Sequence, residues 1–253
     1  MNKLPRAPLK EVIFELHWRL DVEPDLQQEV DVKYNLAQGR FQDLVLASGF
    51  PDYRRKVPVG LPLAVLNHKV EHQFWAGQKE HPVIQLGPGI LTVNDTDKNY
   101  IWERFYPLVA QCLESLEKAY RQPVQPILFN LRYIDVIRAR EYRVAEDWLA
   151  FIHDNLKVQV KHLFDTQGQL SDFSFNQSFA LENGSELNII VSKGNDTATN
   201  EDLLVWQTGI IQSTSTDWVN ILPWLQWAHD LAHQTFLSMT KGNFYDSFRV
   251  PNG

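Results

Sequence analysis

His229-Asp230-Leu231-Ala232-His233 is the segment whose residue types and spacing come nearest to chemistry. Two histidines at i and i+4 share one face of a helix and can share a metal ion. One methylene separates the pattern from the zinc-protease sequence His-Glu-x-x-His. Aspartate reaches a metal-bound water less well than glutamate, and no third ligand follows at an obvious spacing. The pair also flanks Trp224, Leu225, Ala228, Leu231, Ala232 and Phe236, an apolar stripe of the kind a core-facing helix carries. His229 and His233 therefore stand as weak metal candidates only, and the sequence assigns neither a metal, a cofactor nor a catalytic residue.

The remaining candidates give way to simpler readings. His68 and His72 have the same spacing on a segment that reads as a strand, which would hold them roughly 13 Å apart. Gly87-Pro88-Gly89 lacks the Gly-Lys-Ser/Thr ending of a phosphate loop, so a bend in a buried strand is expected there. Cys112 falls within a helical apolar stripe and reads as an inert buried thiol. No Gly-x-Ser-x-Gly elbow occurs. Glu11 and Glu15 form a carboxylate pair with no cleft to act in. Two basic clusters stand out, Arg54-Arg55-Lys56 beside Tyr53 and Arg138, Arg140 and Arg143. They are set against 24 Lys plus Arg and 31 Asp plus Glu, a net charge of −7. That balance argues against nucleic acid as a partner.

The 253 residues are 44% hydrophobic and 22% charged, enough to bury a core without metals or disulfides. The single cysteine excludes an internal disulfide framework. No run approaches the roughly 20 apolar residues that span a bilayer. Met1-Asn2-Lys3-Leu4-Pro5-Arg6 has no apolar signal core. The expected location is the cytoplasm, with no membrane association.

The elements that must position these residues follow from periodicity. Phe14, Leu16, Trp18 and Leu20 alternate with Glu15, His17 and Arg19, predicting a strand over 12–20. A helix is expected over 25–47, with Pro24 at its start and a stripe of Val30, Tyr34, Ala37, Phe41, Leu44 and Val45. Strands are expected over 70–76 and 83–93, the second bent at its glycines, then a helix over 99–121. The second half predicts a strand over 126–133, a helix over 145–155 and strands over 158–164, 170–181, 186–192 and 203–213. Gln167-Gly168 and Asn183-Gly184 are hairpin signals within this half. An exposed loop over 194–201, a closing helix over 224–239 and a frayed tail complete the reading.

This order repeats. Ile13-Phe14-Glu15-Leu16-His17-Trp18 matches Leu128-Phe129-Asn130-Leu131-Arg132-Tyr133 at an offset of 115, and Gly89-Ile90-Leu91 parallels Gly209-Ile210-Ile211 at 120. Trp102 and Phe105 parallel Trp224 and Trp227 at 122. The expected fold is α+β. Two internally duplicated β-α-β(3)-α halves, residues 8–122 and 123–250, pack as one unit, their antiparallel sheets covered by helices. The arrangement is TATA-binding-protein-like or helix-grip-like.

Several segments together resemble a sporadically distributed family of uncharacterised bacterial proteins of about this length. They are Pro8 to Glu15, Gln85-Leu86-Gly87-Pro88-Gly89-Ile90-Leu91-Thr92-Val93-Asn94, Tyr100 and Trp102, Leu131-Arg132-Tyr133-Ile134, and Ala228-His229-Asp230 with Phe236. The middle segment is the most specific. The resemblance implies a bacterial, cytosolic protein and supplies no catalytic residues.

Taken together, these features lead to a non-catalytic binding or regulatory protein that engages another protein. An antitoxin- or immunity-type role against a basic toxin would suit the charge. One alternative is a small-ligand binder using an apolar cavity between sheet and helix, which Trp18, Trp75, Trp206 and Trp227 would help to line. The other is a metal-dependent hydrolase built on His229 and His233.

Overall fold

Alternation at period two builds the centre of the molecule, because residues two apart on a strand face the same side. The computed structural model describes residues 4–23, 28–96, 100–142, 147–161, 163–164, 167–168, 170–214 and 216–249. In chain order these form β1 (Leu9–Trp18), β2 (Asp21–Glu23), β3 (Gln28–Val30), α1 (Tyr34–Ala47), β4 (Asp52–Arg55) and α2 (Leu63–Leu66). Next come β5 (His72–Gly77), β6 (Glu80–Gly87), β7 (Ile90–Thr96), α3 (Trp102–Tyr120) and β8 (Pro126–Arg138). The chain continues through α4 (Trp148–Leu156), β9 (Ser174–Ala180), β10 (Glu186–Asp196), β11 (Glu201–Gln212), α5 (Ile221–Thr240) and α6 (Asn243–Ser247).

The architecture is α+β. Nine strands form one antiparallel sheet in the order β4-β5-β6-β7-β1-β8-β11-β10-β9, and β2 and β3 form a separate hairpin. The middle of the sheet is the β1–β8 pair, in which Phe14 faces Leu131, Glu15 faces Asn130 and Leu16 faces Phe129. One face carries Phe14, Leu16, Leu91, Val93, Phe129 and Leu131, all buried with residues of α1, α3 and α5 in the larger core. A second core joins Ile137, Leu204 and Trp206 on the same face to α4, the end of α5 and α6. No helix among the described residues is long and apolar enough to cross a membrane.

Five expectations need correction. The segment expected to start a helix at 25 instead forms β3 at Gln28–Val30, and α1 begins at Tyr34. Its expected entry at Pro24 lies outside the described residues. Residues 83–93 are two strands, because Gly87-Pro88-Gly89 reverses the chain completely and pairs Gly87 with Ile90. A Cβ on Gly87 would stand 1.8 Å from the Lys69 carbonyl oxygen, and Gly89 takes a φ of +76°, so the turn needs both glycines. None of residues 158–161 and 163–164 is in a strand. Apolar residues there alternate without a paired neighbour, and Leu163 and Phe164 are exposed. Residues 194–196, expected in a loop, extend β10. Of the two hairpin signals, Asn183-Gly184 turns β9 into β10, with Gly184 at a φ of +79°. Gln167-Gly168 joins no two strands. The tail expected to fray, residues 249–253, follows the fully buried Phe248, and its residues 250–253 lie outside the described set.

Candidate functional site

On the helix side of β8, Tyr133 and Asp135 stand two residues apart and face the same way. Above them, α5 presents His229, His233 and Phe236 at spacings of four and three, flanking its buried stripe of Leu225, Ala228 and Ala232. The first turn of α3 contributes Trp102, and Tyr100 precedes it. Leu9 at the start of β1, with Leu4 and Ala7 ahead of it, closes the space. These elements enclose a cavity of about 360 Å³.

A hydrogen-bonded chain crosses one wall. The Tyr100 and Tyr133 hydroxyls are 2.9 Å apart, and the Tyr133 hydroxyl lies 2.7 Å from His229 Nδ1. Burial lowers the His229 pKa to about 4, so the ring is neutral at physiological pH. With its proton on Nε2, His229 accepts from Tyr133 and Tyr133 accepts from Tyr100. The His229 ring stacks on Trp102 with centroids 3.8 Å apart and planes 5° from parallel. Trp102 Nε1 in turn donates to Gln226 Oε1 at 3.0 Å, and Gln226 Nε2 donates to Asp230 at 3.1 Å. This network fixes the indole and the imidazole in place, and both hydroxyls are held well above the usual tyrosine range by burial.

Asp135 is different. It is only 5% exposed and lines the cavity, yet its carboxylate makes no hydrogen bond or ion pair among the described residues. Burial alone pushes its pKa up to about 7. Thr208 lies across the β8–β11 pairing from Tyr133, is 3% exposed, and likewise has no side-chain partner among the described residues. A second cavity of about 510 Å³ lies near Arg6, Glu141 and Phe244, but its arginine is already paired with Glu141 at 3.0 Å.

The sequence candidates divide between this site and others. His229 and His233 both line the cavity, with ring centroids 6.4 Å apart. No group of three His, Cys, Asp or Glu residues is placed to hold a metal among the described residues. His68 and His72 go to separate neighbours: His68 to His17 and the Gly89 carbonyl, His72 to the Tyr53 hydroxyl and Glu71. Glu11 accepts from Asn94, and Glu15 bonds His17. Arg54 pairs with Asp52 and Arg55 with Glu71. Arg138 pairs with Asp196, and Arg143 lies outside the described residues. Cys112 is buried, and burial raises its thiol pKa. Of the four tryptophans expected to surround a cavity, none lines this one; Trp102 does. Asp135 was missed because an acid inside an alternating strand reads as a residue of the wet face. Its two-residue spacing from Tyr133, on the apolar phase of β8, was the available signal.

Neither family models, nor curated proteins, nor solved structures yield a match to this chain.

Proposed function

We propose that this chain is a non-catalytic small-ligand-binding protein whose site is the cavity between β8, α3 and α5. The observation that carries the reading is convergence. Tyr100, Trp102, Tyr133, His229 and Phe236 come from distant parts of the sequence, belong to the segments that carry the family resemblance, and meet around one space. A mostly apolar cavity with a few fixed polar groups is the usual form of a small-molecule site. This moves the small-ligand alternative ahead of the protein-partner reading. The test is a fluorine-NMR fragment screen of the full chain, repeated with His233→Trp, which fills the cavity. Fragment binding lost in the variant supports the site. Binding that the variant leaves unchanged removes it.

The duplicated architecture belongs with this proposal. Under the 115-residue offset, Glu15 corresponds to Asn130, and these two residues pair with each other at the middle of the sheet. A two-fold relation between halves would put equivalent residues opposite one another in this way. The flanking strands agree, since Glu15 faces Thr92 as Asn130 faces Ile211. That pairing sets the second offset at 119, one less than the glycine match. It favours a TATA-binding-protein-like frame, and superposing residues 8–122 on 123–250 tests it.

A second reading keeps a protein partner, including an antitoxin- or immunity-type role, on the opposite sheet face. By register that face carries Gln73, Gln85, Asn94, Asn130, Asn188 and Gln207. Asn130 Oδ1 and Arg132 Nε are buried there without hydrogen-bond partners. Affinity purification of wild type beside Arg132→Glu decides it: a partner retained by the first and lost by the second supports the face. Identical recoveries argue against it.

A further inference from the structure

The cavity's unpaired carboxyl says what kind of ligand would fit, if the cavity is the binding site proposed above. Asp135 is 95% buried, and no protein donor among the described residues meets it. A buried carboxylate left in this state is costly unless a donor or a cation completes it. The other acids at the cavity are Glu103 and Asp230, and no lysine or arginine lines it among the described residues. Of the two histidines at the cavity, His229 spends Nδ1 on Tyr133 and has its ring against Trp102, and neither His229 nor His233 bonds Asp135. Beside Asp135, the Thr208 hydroxyl is also uncommitted, whereas Leu9, Trp102 and Phe236 offer apolar surface. An anion would meet the carboxylates of Asp135 and Asp230 here, with no lysine or arginine among the described lining residues to receive it. A neutral hydrocarbon would leave the carboxyl as it is.

We propose that the cavity takes an amphipathic amine, its protonated nitrogen seated on Asp135 and Thr208 and its apolar body against Leu9, Trp102 and Phe236. Charge-assisted hydrogen bonds are the stronger kind, so the amine should gain at least about tenfold in affinity over a neutral analogue of the same shape.

The test is calorimetry at pH 7.5 on the full chain with three probes of matched shape: 2-phenylethylamine, 2-phenylethanol and 3-phenylpropanoate. The expected order is amine tightest, alcohol weaker by about tenfold or more and acid weakest. Asp135→Asn should abolish the amine's advantage over the alcohol, and a circular-dichroism spectrum matching wild type shows that the variant is folded. Three results overturn the proposal: the acid binding tightest, the amine no better than the alcohol, or an advantage that survives Asp135→Asn. His233→Trp separates the two levels. Alcohol binding that this variant blocks, with no preference for the amine, keeps the cavity and rejects the amine. Silence from all three probes rejects both.

Discussion

Two aspartates are buried to nearly the same degree on opposite sides of the β1–β8 seam, and their surroundings differ completely. Asp31, 4% exposed, accepts from Trp18 Nε1 at 3.1 Å, the Tyr120 hydroxyl at 2.7 Å and the Gly89 amide at 3.3 Å. Asp135, 5% exposed, accepts from nothing in the described chain and faces a cavity. The first carboxylate is a fastener: it ties the β7 turn, β1 and the end of α3 to the segment ahead of α1. The second contributes nothing of that kind to the fold. Burial by itself therefore does not distinguish a carboxylate the fold uses from one it leaves unpaired; the count of donors does.

The comparison breaks most sharply at Asp31. Replacing it by alanine strands three buried donors at once, and each orphaned group costs about 1–3 kcal/mol, so a loss of about 5 kcal/mol is expected. Urea denaturation of Asp31→Ala beside wild type measures it. A loss below about 1 kcal/mol would mean that the fastener reading is wrong.

Asp135 should behave in the opposite sense, and with a pH signature. Its folded pKa of about 7 lies above the ordinary 3.8. Below about pH 4 the carboxyl is protonated in both the folded and the unfolded chain and has no effect on stability. Between those values the unfolded chain ionises first, so stability falls by about 1.4 kcal/mol per pH unit. Above pH 7 both states are ionised and the penalty is constant. Asp135→Asn removes this dependence. Between pH 5 and pH 7.5, wild type without ligand should lose about 3 kcal/mol more than the variant. Parallel stability curves would show that the carboxyl is satisfied after all.

Tyr133→Phe comes next in size. It removes the hydroxyl between Tyr100 and His229, leaving two buried groups without their partner. The expected cost is about 1–2 kcal/mol. Nitrogen-15 chemical shifts of His229 should move with it, since Nδ1 loses its bond, whereas a purely packing role for Tyr133 would leave them in place.

How much of this could be seen in the sequence differs between the two regions. The strand that carries Trp18 and the strand that carries Tyr133 were both legible, because Phe14-x-Leu16-x-Trp18 and Phe129-x-Leu131-x-Tyr133 alternate over an apolar face. The Gly87-Pro88-Gly89 reversal is visible as a disturbance but not as a hairpin, since the run from Val83 to Val93 is mostly apolar on both sides of it, with Gln85 and Thr92 its polar members. Asp31 and Asp135 were invisible as a pair. Their donors lie 13, 58 and 89 residues away in the first case, and in the second the distinguishing feature is an absence of donors. His229 is legible only in part. Its helix spacing to His233 suggested a shared metal, whereas the contacts that hold the ring come from Trp102 and Tyr133 on other elements.

The smallest expected effect gives the finest division between the two kinds of polar residue. Thr208 and Ser185 are both 3% exposed. Ser185 accepts from Trp224 Nε1 at 3.1 Å and donates to Gln212 Oε1 at 2.5 Å, so its hydroxyl holds α5 against β11. Thr208 has no hydrogen-bonded partner among the described residues and lines the cavity. Ser185→Ala should therefore cost about 1–2 kcal/mol, by removing a bond at each end. Thr208→Val should change stability by less than about 0.5 kcal/mol, or raise it slightly, because no bond is lost and a buried polar atom is replaced by a methyl group. Paired urea titrations test the contrast directly. Equal losses for the two variants would mean that the wall around Asp135 is part of the fold's internal bonding. Unequal losses in the stated direction would identify polar groups the fold does not need and a ligand could use.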